Sequence, residues 1–494
     1  MNQIGFDNEK YLEMQSTHIR ERIGQFGNKL YLEFGGKLFD DFHASRVLPG
    51  FAPDSKIRML KELKDSAEIV IAICASDIEK NKVRGDLGIT YDVDVLRLID
   101  VFRSNGLFVG SVVVTQYAGQ PAAAAFKQRL ETLDIRVYLH YPIEGYPNNI
   151  ALIVSDDGYG KNDYVETARP LVVVTGPGPG SGKMAVCLSQ LYHEYRRGRE
   201  AGYAKFETFP IWNLPLQHPV NLAYEAATAD LGDVNVIDPF HLQAYGETTV
   251  NYNRDVEIFP VLSAIFEKII GACPYKSPTD MGVNMAGNCI IDSDAVEDAA
   301  RQEIIRRYYT GLCDRRQGKV GDNLVYKLEL LMQQVKASAR HRPVIAASAR
   351  VAEETGNPAF AIELLNGEVV TGKTTELLGA CSATLLNALK RLAGIEHECH
   401  LISPEAIEPI QTVKVKHLGS ANPRLHSDET LIALAISAAS NPAAAQALAQ
   451  LSSLRGCEAH STVILSQVDI STYAKLGVRL TCEPQYETNK LYHR

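Results

Sequence analysis

The segment LVVVTGPGPGSGKMAVCLSQLYHEY, residues 171–195, states its chemistry more openly than any other part of the chain. A glycine-rich turn ending in Lys183 is the arrangement that holds a phosphate. Consecutive backbone N–H groups and a helix N-terminus converge on one anion, and the lysine adds a full charge. The spelling departs from G-x-x-x-x-G-K-[ST] at both ends: Pro177 stands where the first glycine belongs, and Met184 where a Ser or Thr would ligate Mg²⁺. The two prolines lack N–H groups but lie on the entering side, whereas Gly180, Ser181, Gly182, Lys183 and Met184 keep theirs. Gly178 and Gly180 can take the positive φ that such a ring needs. The expected phosphate-binding set is therefore Gly178, Gly180, Ser181, Gly182, Lys183 and Met184.

A metal at this loop would need Ser181, Thr175 or an acid from elsewhere. Asp156 and Asp238 each follow an apolar run, as a Walker B aspartate does. His218 and Glu225 complete the catalytic candidates. They lie in a polar, aromatic stretch at 202–255 that also holds Lys205, Glu207, Trp212, Asp230, His241, Asn253 and Arg254. A second such loop, SPTDMGVNMAGN at 277–288, offers Thr279, Asp280 and Asn284. Three readings stay open: a nucleotide site with Mg²⁺ as cofactor, acting in phosphoryl transfer or hydrolysis; a site for another phosphorylated ligand; and a structural or regulatory turn without catalysis.

GEVVTGKT, residues 367–374, fits the phosphate-loop pattern without error. Its context is different, because Asn366-Gly367 between alternating apolar residues predicts a β-hairpin with a type I′ turn. Thr374 or Thr375 would then cap the following helix. HECH at 397–400 is one residue short of the zinc-peptidase spacing, so no metal ligand is assigned. Arg306 and Arg307 read as partners in structural ion pairs.

A phosphate loop must be carried by a strand and a helix, and the flanking sequence supplies them repeatedly. AEIVIAICA, LFVGSVVVTQ, IRVYLHYPI, NIALIVSDD, PLVVVTG and DVNVIDPF are apolar runs separated by amphipathic stretches such as DVDVLRLIDVFRSNG and PAAAAFKQRLETLD. KLYLEFGGKLFDDF reads as a strand or hairpin turning at Gly35 and Gly36. The fold class is α/β: a large, mostly parallel three-layer domain with a P-loop-like strand-loop-helix, then a helical middle region, then a smaller C-terminal α/β domain. The expected limits are 1–265, 266–345 and 346–494.

With 494 residues, several cores are expected. A net charge of −9 argues against a nucleic-acid binder working through a broad basic surface, and no apolar run approaches the ~18 residues that span a bilayer. The nine cysteines include no C-x-x-C pair, which fits a reducing cytoplasm, and Cys74, Cys187 and Cys381 sit in runs that bury a thiol. The expected partner is a phosphorylated small molecule, with no nucleic acid and no membrane. Self-association into a homo-oligomer is left open.

Several long motifs together closely resemble the bacterial DUF1846 family, also called UPF0371. They are FGGKLFDDFHASRVLPGF, KVRGDLGITYD, TGPGPGSGKMAVCLSQLYHEY, AGYAKFETFPIWNLPLQHPVNLAYEAATADL, PYKSPTDMGVNMAGN and GCEAHSTVILSQVD. The resemblance spans nearly the whole chain and implies a cytoplasmic, multi-domain α/β protein of this length. It implies no activity and transfers no catalytic residue.

Overall fold

The computed structural model describes residues 4–36, 38–39, 41–84 and 87–488. The chain divides into two compact units. The larger comprises 4–225 with 231–297, and the smaller 226–230 with 298 onward.

The larger unit is built on a seven-stranded parallel sheet. Its strands run in the order Gly282–Val283, Gly202–Phe206, Leu30–Phe34, Leu171–Thr175, Ala67–Cys74, Phe108–Thr115 and Arg136–Leu139. The strands are near-continuous apolar runs because both faces are covered. Along the central strand, Leu171 and Val173 face a core shared with helices Ser55–Glu62, Tyr91–Ser104 and Pro121–Thr132, while Val172 and Val174 face a core shared with Lys183–Arg196 and Asn253–Ile270. Each such valine, fully buried, contributes about 1.5–3 kcal/mol. Two layers of helix on one sheet make the expected three-layer domain.

KLYLEFGG takes the first of its two readings, a single strand, paired in parallel on both sides. Two expectations fail locally. NIALIVSDD is no strand: Ile150–Ile153 forms a helical turn, capped by Asn149, which accepts the Leu152 N–H at 3.3 Å. DVNVIDPF supplies Asn235–Ile237, but this strand pairs antiparallel with Val250–Tyr252 in a separate two-stranded sheet.

The smaller unit carries a four-stranded mixed sheet in the order Val369–Lys373, Ala359–Glu363, Glu458–Ser461, Arg479–Cys482. Helix Ala380–Ala393 packs on it through Leu385, Ala388 and Leu389. GEVVTGKT is the return strand of the predicted hairpin, with Glu363 opposite Val369 and Ala359 opposite Lys373. The turn differs from the expectation. Only Gly367 has positive φ, at 84°, and the Gly367 N–H donates to Leu364 C=O while Leu364 N–H donates to Glu368 C=O, both at 2.8 Å. That is a three-residue loop, in which a type I turn is closed by a left-handed glycine. Neither threonine caps the next helix. Gly379 occupies that position, and the Thr375 hydroxyl instead accepts the Leu378 N–H at 3.0 Å.

Arg306 and Arg307 are ion-paired, to Glu303 and Glu458 at 2.6–3.0 Å. Arg342, fully buried, joins them by reaching Glu458 at 2.5 Å and donating to Ala459 C=O and Arg479 C=O. Charges taken out of water this completely need such partners.

Candidate functional site

The strand Leu171–Thr175 is buried at every residue and stands fourth of seven. The chain leaves its neighbour Leu30–Phe34 toward the face of the sheet that Ser55–Glu62 covers, and leaves Leu171–Thr175 toward the opposite face, which Lys183–Arg196 covers. Adjacent parallel strands whose exits diverge in this way open a crevice beyond their C-terminal ends, where α/β sheets bind ligands. Gly176 begins the loop at that crevice.

Sterics and hydrogen bonds fix the loop. A Cβ on Gly176 would stand 2.5 Å from Ala72 C=O, and one on Gly178 would stand 2.3 Å from Tyr91 Oη. Gly180 and Gly182 have φ of 79° and 87°, so both glycines are required by conformation as well. Ser181, buried, donates its hydroxyl to Gly178 C=O at 2.6 Å, and Thr115 donates to Ser181 C=O at 2.8 Å. These two bonds close the ring and tie it to the neighbouring strand end.

Gly182 is the N-cap of Lys183–Arg196 and has no side chain with which to satisfy the helix start. Among the described residues, no acceptor meets the backbone N–H groups of Gly180, Ser181, Gly182, Lys183, Met184 or Ala185. Lys183 has no hydrogen-bond or ion-pair partner there either. Val186 N–H is the first to bond back, to Gly182 C=O at 2.9 Å. Six consecutive donors and one cation are thus left without an acceptor among the described residues.

The catalytic candidates are placed elsewhere. Asp156 accepts from Tyr192 Oη at 2.6 Å and pairs with Arg196 at 3.2 Å. Tyr192 lies nine residues along the helix from Lys183, roughly 13 Å from its start, so Asp156 sits at the wrong end to hold a metal at the loop. Asp238, fully buried, caps helix Pro239–Tyr245 through the N–H groups of Phe240 and His241, both at 3.0 Å. Its second oxygen takes the Thr279 hydroxyl at 2.7 Å. Its acceptor positions serve the fold. Glu225 accepts from the Asn235 backbone at 3.3 Å, and His218 accepts from Val220 N–H at 3.3 Å with Glu297 at 3.7 Å.

A charged cluster lies along the same sheet edge, joining Lys205 and Glu207 of the polar stretch to Glu33, which the sequence did not single out. Glu33 and Lys205 are opposite each other on adjacent strands. Lys205 pairs with Glu207 at 2.6 Å and with Asp255, and Tyr203 donates to Glu33 at 2.7 Å. Burial pushes the Glu207 carboxyl up to about 7, against the pull of Lys205. Glu33 and Lys183 both act electrostatically on the Cys187 thiol, which burial raises well above its ordinary value.

Beyond Glu207 opens a cavity of about 390 Å³, lined among others by Arg22, Trp212, His241, Asn251 and Asp280. The two polar loops singled out in the sequence meet there: Trp212 donates its indole N–H to Asn284 C=O at 2.9 Å, and Tyr245 donates to Asp280 at 2.8 Å. The one signal for Glu33 was an acid inside the apolar run KLYLEF.

Among the described residues no helix is long and apolar enough to cross a membrane, and no three His, Cys, Asp or Glu side chains gather as metal ligands. The family model described as "Domain of unknown function DUF1846, N-terminal" matches residues 4–336, and its C-terminal counterpart matches residues 340–492. A UPF0371 protein of Streptococcus pneumoniae serotype 2 (strain D39) is 60% identical over 494 residues, 100% of both chains. UPF0371 proteins of S. pneumoniae strains 70585 and JJA are 59% identical over 494 residues, again 100% of each chain. Family models over both parts of the chain and end-to-end relatives agree, and the chain belongs to the DUF1846 family, which has no assigned function and whose curated members here are called UPF0371.

Proposed function

We propose that the loop at 176–184 binds the phosphoryl group of a nucleotide or another phosphorylated small molecule. The observation that carries this reading is the run of six backbone N–H groups, Gly180 to Ala185, without acceptors among the described residues around a glycine N-cap, with Lys183 unpaired among them. Gly182 to Ala185 are the four donors that any helix start leaves open, and Gly180 and Ser181 extend them into the loop, where water or a ligand must serve them. The remainder of the ligand extends over the end of Leu30–Phe34 toward Glu207 and the cavity beyond, two strand spacings or roughly 10 Å away. The nine cysteines, none of them paired, support placement in a reducing cytoplasm.

Phosphoryl transfer is the further step of this reading. Asp156 and Asp238 are committed elsewhere and the Ser181 hydroxyl donates within the loop, so binding is better supported than transfer. A thermal-shift panel of inorganic phosphate, ATP and ribose 5-phosphate, each with and without Mg²⁺, tests both. Stabilisation by at least one phosphorylated ligand is expected, and stabilisation that appears only with Mg²⁺ would favour transfer. No stabilisation by any of them would contradict the proposal.

A further inference from the structure

Three helices of the smaller unit begin at one cavity of about 1810 Å³. They are Ala380–Ala393, Ser427–Ser437 and Gln467–Lys475, and Cys381, His426 and Ser466 at their starts line that space. Hydrogen bonds hold the three ends together. Gly379 N–H and the Ser382 hydroxyl both donate to Leu425 C=O, at 3.4 and 3.0 Å. Ser427 donates its backbone N–H and its hydroxyl to Asp469 Oδ1, both at 2.8 Å. Ser466 donates its hydroxyl to Asp469 Oδ2 at 2.7 Å, and His426 Nδ1 lies 2.9 Å from the same oxygen.

Asp469 thus takes four bonds. Burial alone would raise its carboxyl, but His426, the Ser427 N–H and Ser466 outweigh it and hold the group well below the usual carboxylate range. An ionised carboxylate only accepts, so His426 Nδ1 carries the proton and the neutral ring keeps its lone pair on Nε2. The ring's side-chain bonds, to Asp469 and to Ser466, are both made at Nδ1. The bond to Asp469 raises the imidazole above its ordinary value, against the effect of burial. The arrangement is a base with an orienting acid behind it and open space in front.

We propose that this is a catalytic site, independent of the phosphate loop, in which Asp469 orients His426 to activate water against a carboxylic ester. The nucleophile is water, because the hydroxyls of Ser427 and Ser466 both donate to Asp469 and burial raises the Cys381 thiol far above its ordinary value. The electrophile is a carbonyl and not a phosphoryl group, because the two cations at the cavity are engaged: Arg424 with Glu487 at 2.5 Å and Lys319 with Asp314 at 3.3 Å. Neutral donors stand at the start of Ala380–Ala393, where the N–H groups of Ala380 and Cys381 have no acceptor among the described residues. They suit the single negative charge of a tetrahedral intermediate. His426 Nε2 takes a proton from water as the water oxygen bonds to the carbonyl carbon, and the C=O electron pair moves onto oxygen beside the two N–H groups. When the intermediate collapses, the bond to the leaving oxygen breaks and the imidazolium returns its proton to that oxygen. Water and ester give acid and alcohol.

The test uses the full chain and p-nitrophenyl butyrate. His426→Gln is expected to lower kcat about 10²- to 10⁴-fold, with KM and the melting temperature unchanged. Ala380→Pro removes one N–H at the first helical position, where proline is accepted and where Gly379 is already extended at φ −66° and ψ 158°. It should lower kcat about 10²- to 10³-fold. If His426→Gln does not fold, Ala380→Pro decides alone. The proposal is overturned if the wild type hydrolyses the ester no faster than buffer, or if either folded variant retains the wild-type rate.

Discussion

Two segments of this chain spell a glycine-lysine loop, and they part company in what surrounds the glycine. GEVVTGKT at 367–374 fits the letters, yet its backbone is engaged strand to strand with Ala359–Glu363, and its first glycine closes a hairpin turn. GPGPGSGK at 176–183 misses two letters, yet it leaves the end of a buried parallel strand and enters a helix with six backbone donors that meet no acceptor among the described residues. A phosphate loop is defined by where N–H groups converge, and the letters are a proxy for that. The hairpin's return strand lies at a sheet edge, so its spare N–H groups alternate along an extended backbone and do not converge on one point. The proline-interrupted loop loses none that matter, because its prolines precede the donors.

The largest expected effect that would break this comparison comes from Gly182→Val. Gly182 has φ 87°, and its Cβ would stand 2.9 Å from Thr115. Left-handed backbone costs a side-chain residue about 1–2 kcal/mol, and the β-branch adds to it. Phosphate binding should disappear in a titration, with a measurable drop in melting temperature. Next in size is Lys183→Ala, which removes one charge-assisted contact worth about 1.5–3 kcal/mol. Calorimetry should show affinity reduced about tenfold to a hundredfold with stability unchanged. The matching change in the hairpin, Lys373→Ala, should leave phosphate affinity as it was, because Lys373 is exposed at a strand end.

Smaller effects sharpen the comparison. Met184→Thr restores the hydroxyl that the standard loop uses for Mg²⁺. It should strengthen ATP binding only in the presence of Mg²⁺, by less than about 1.4 kcal/mol, or tenfold. Gly367→Ala should show no effect on phosphate at all. Its φ is 84° with no atom within 4 Å of the new Cβ, so the only expected consequence is about 1–2 kcal/mol of lost stability, read as earlier melting of the smaller unit.

The sequence made the strand-loop-helix at 171–196 legible because three signals agree there: an apolar run, a glycine turn and a helical apolar face. It misled where one signal stood alone. Ile150–Ile153 is apolar but only four residues long, and a run so short does not distinguish a strand from a helical turn. Asp238 is a catalytic candidate on the strength of following VNVI, yet the Pro239 after it is the mark of a helix start with Asp as cap. That signal was present and was outweighed by the apolar run. The Glu33–Lys205–Glu207–Asp255 cluster and the Asp469–His426 pair follow a different logic. Lys205 and Glu207 are neighbours along one strand end, but Asp255 lies 50 residues beyond Lys205, and His426 and Asp469 are 43 apart. No local spacing encodes such pairs, and the packing of separate strand ends and helix starts assembles them.

The central claim is that the unsatisfied amides of the loop are there for an anion. The measurement that tests it most directly is a titration of isotope-labelled protein with inorganic phosphate, followed by the chemical shifts of individual backbone amides. The account predicts saturable shifts concentrated at Gly180, Ser181, Gly182, Lys183, Met184 and Ala185, weakened in Lys183→Ala, with the amides of 367–374 unmoved. Saturable shifts confined to other residues, or no shifts at the loop, would contradict it.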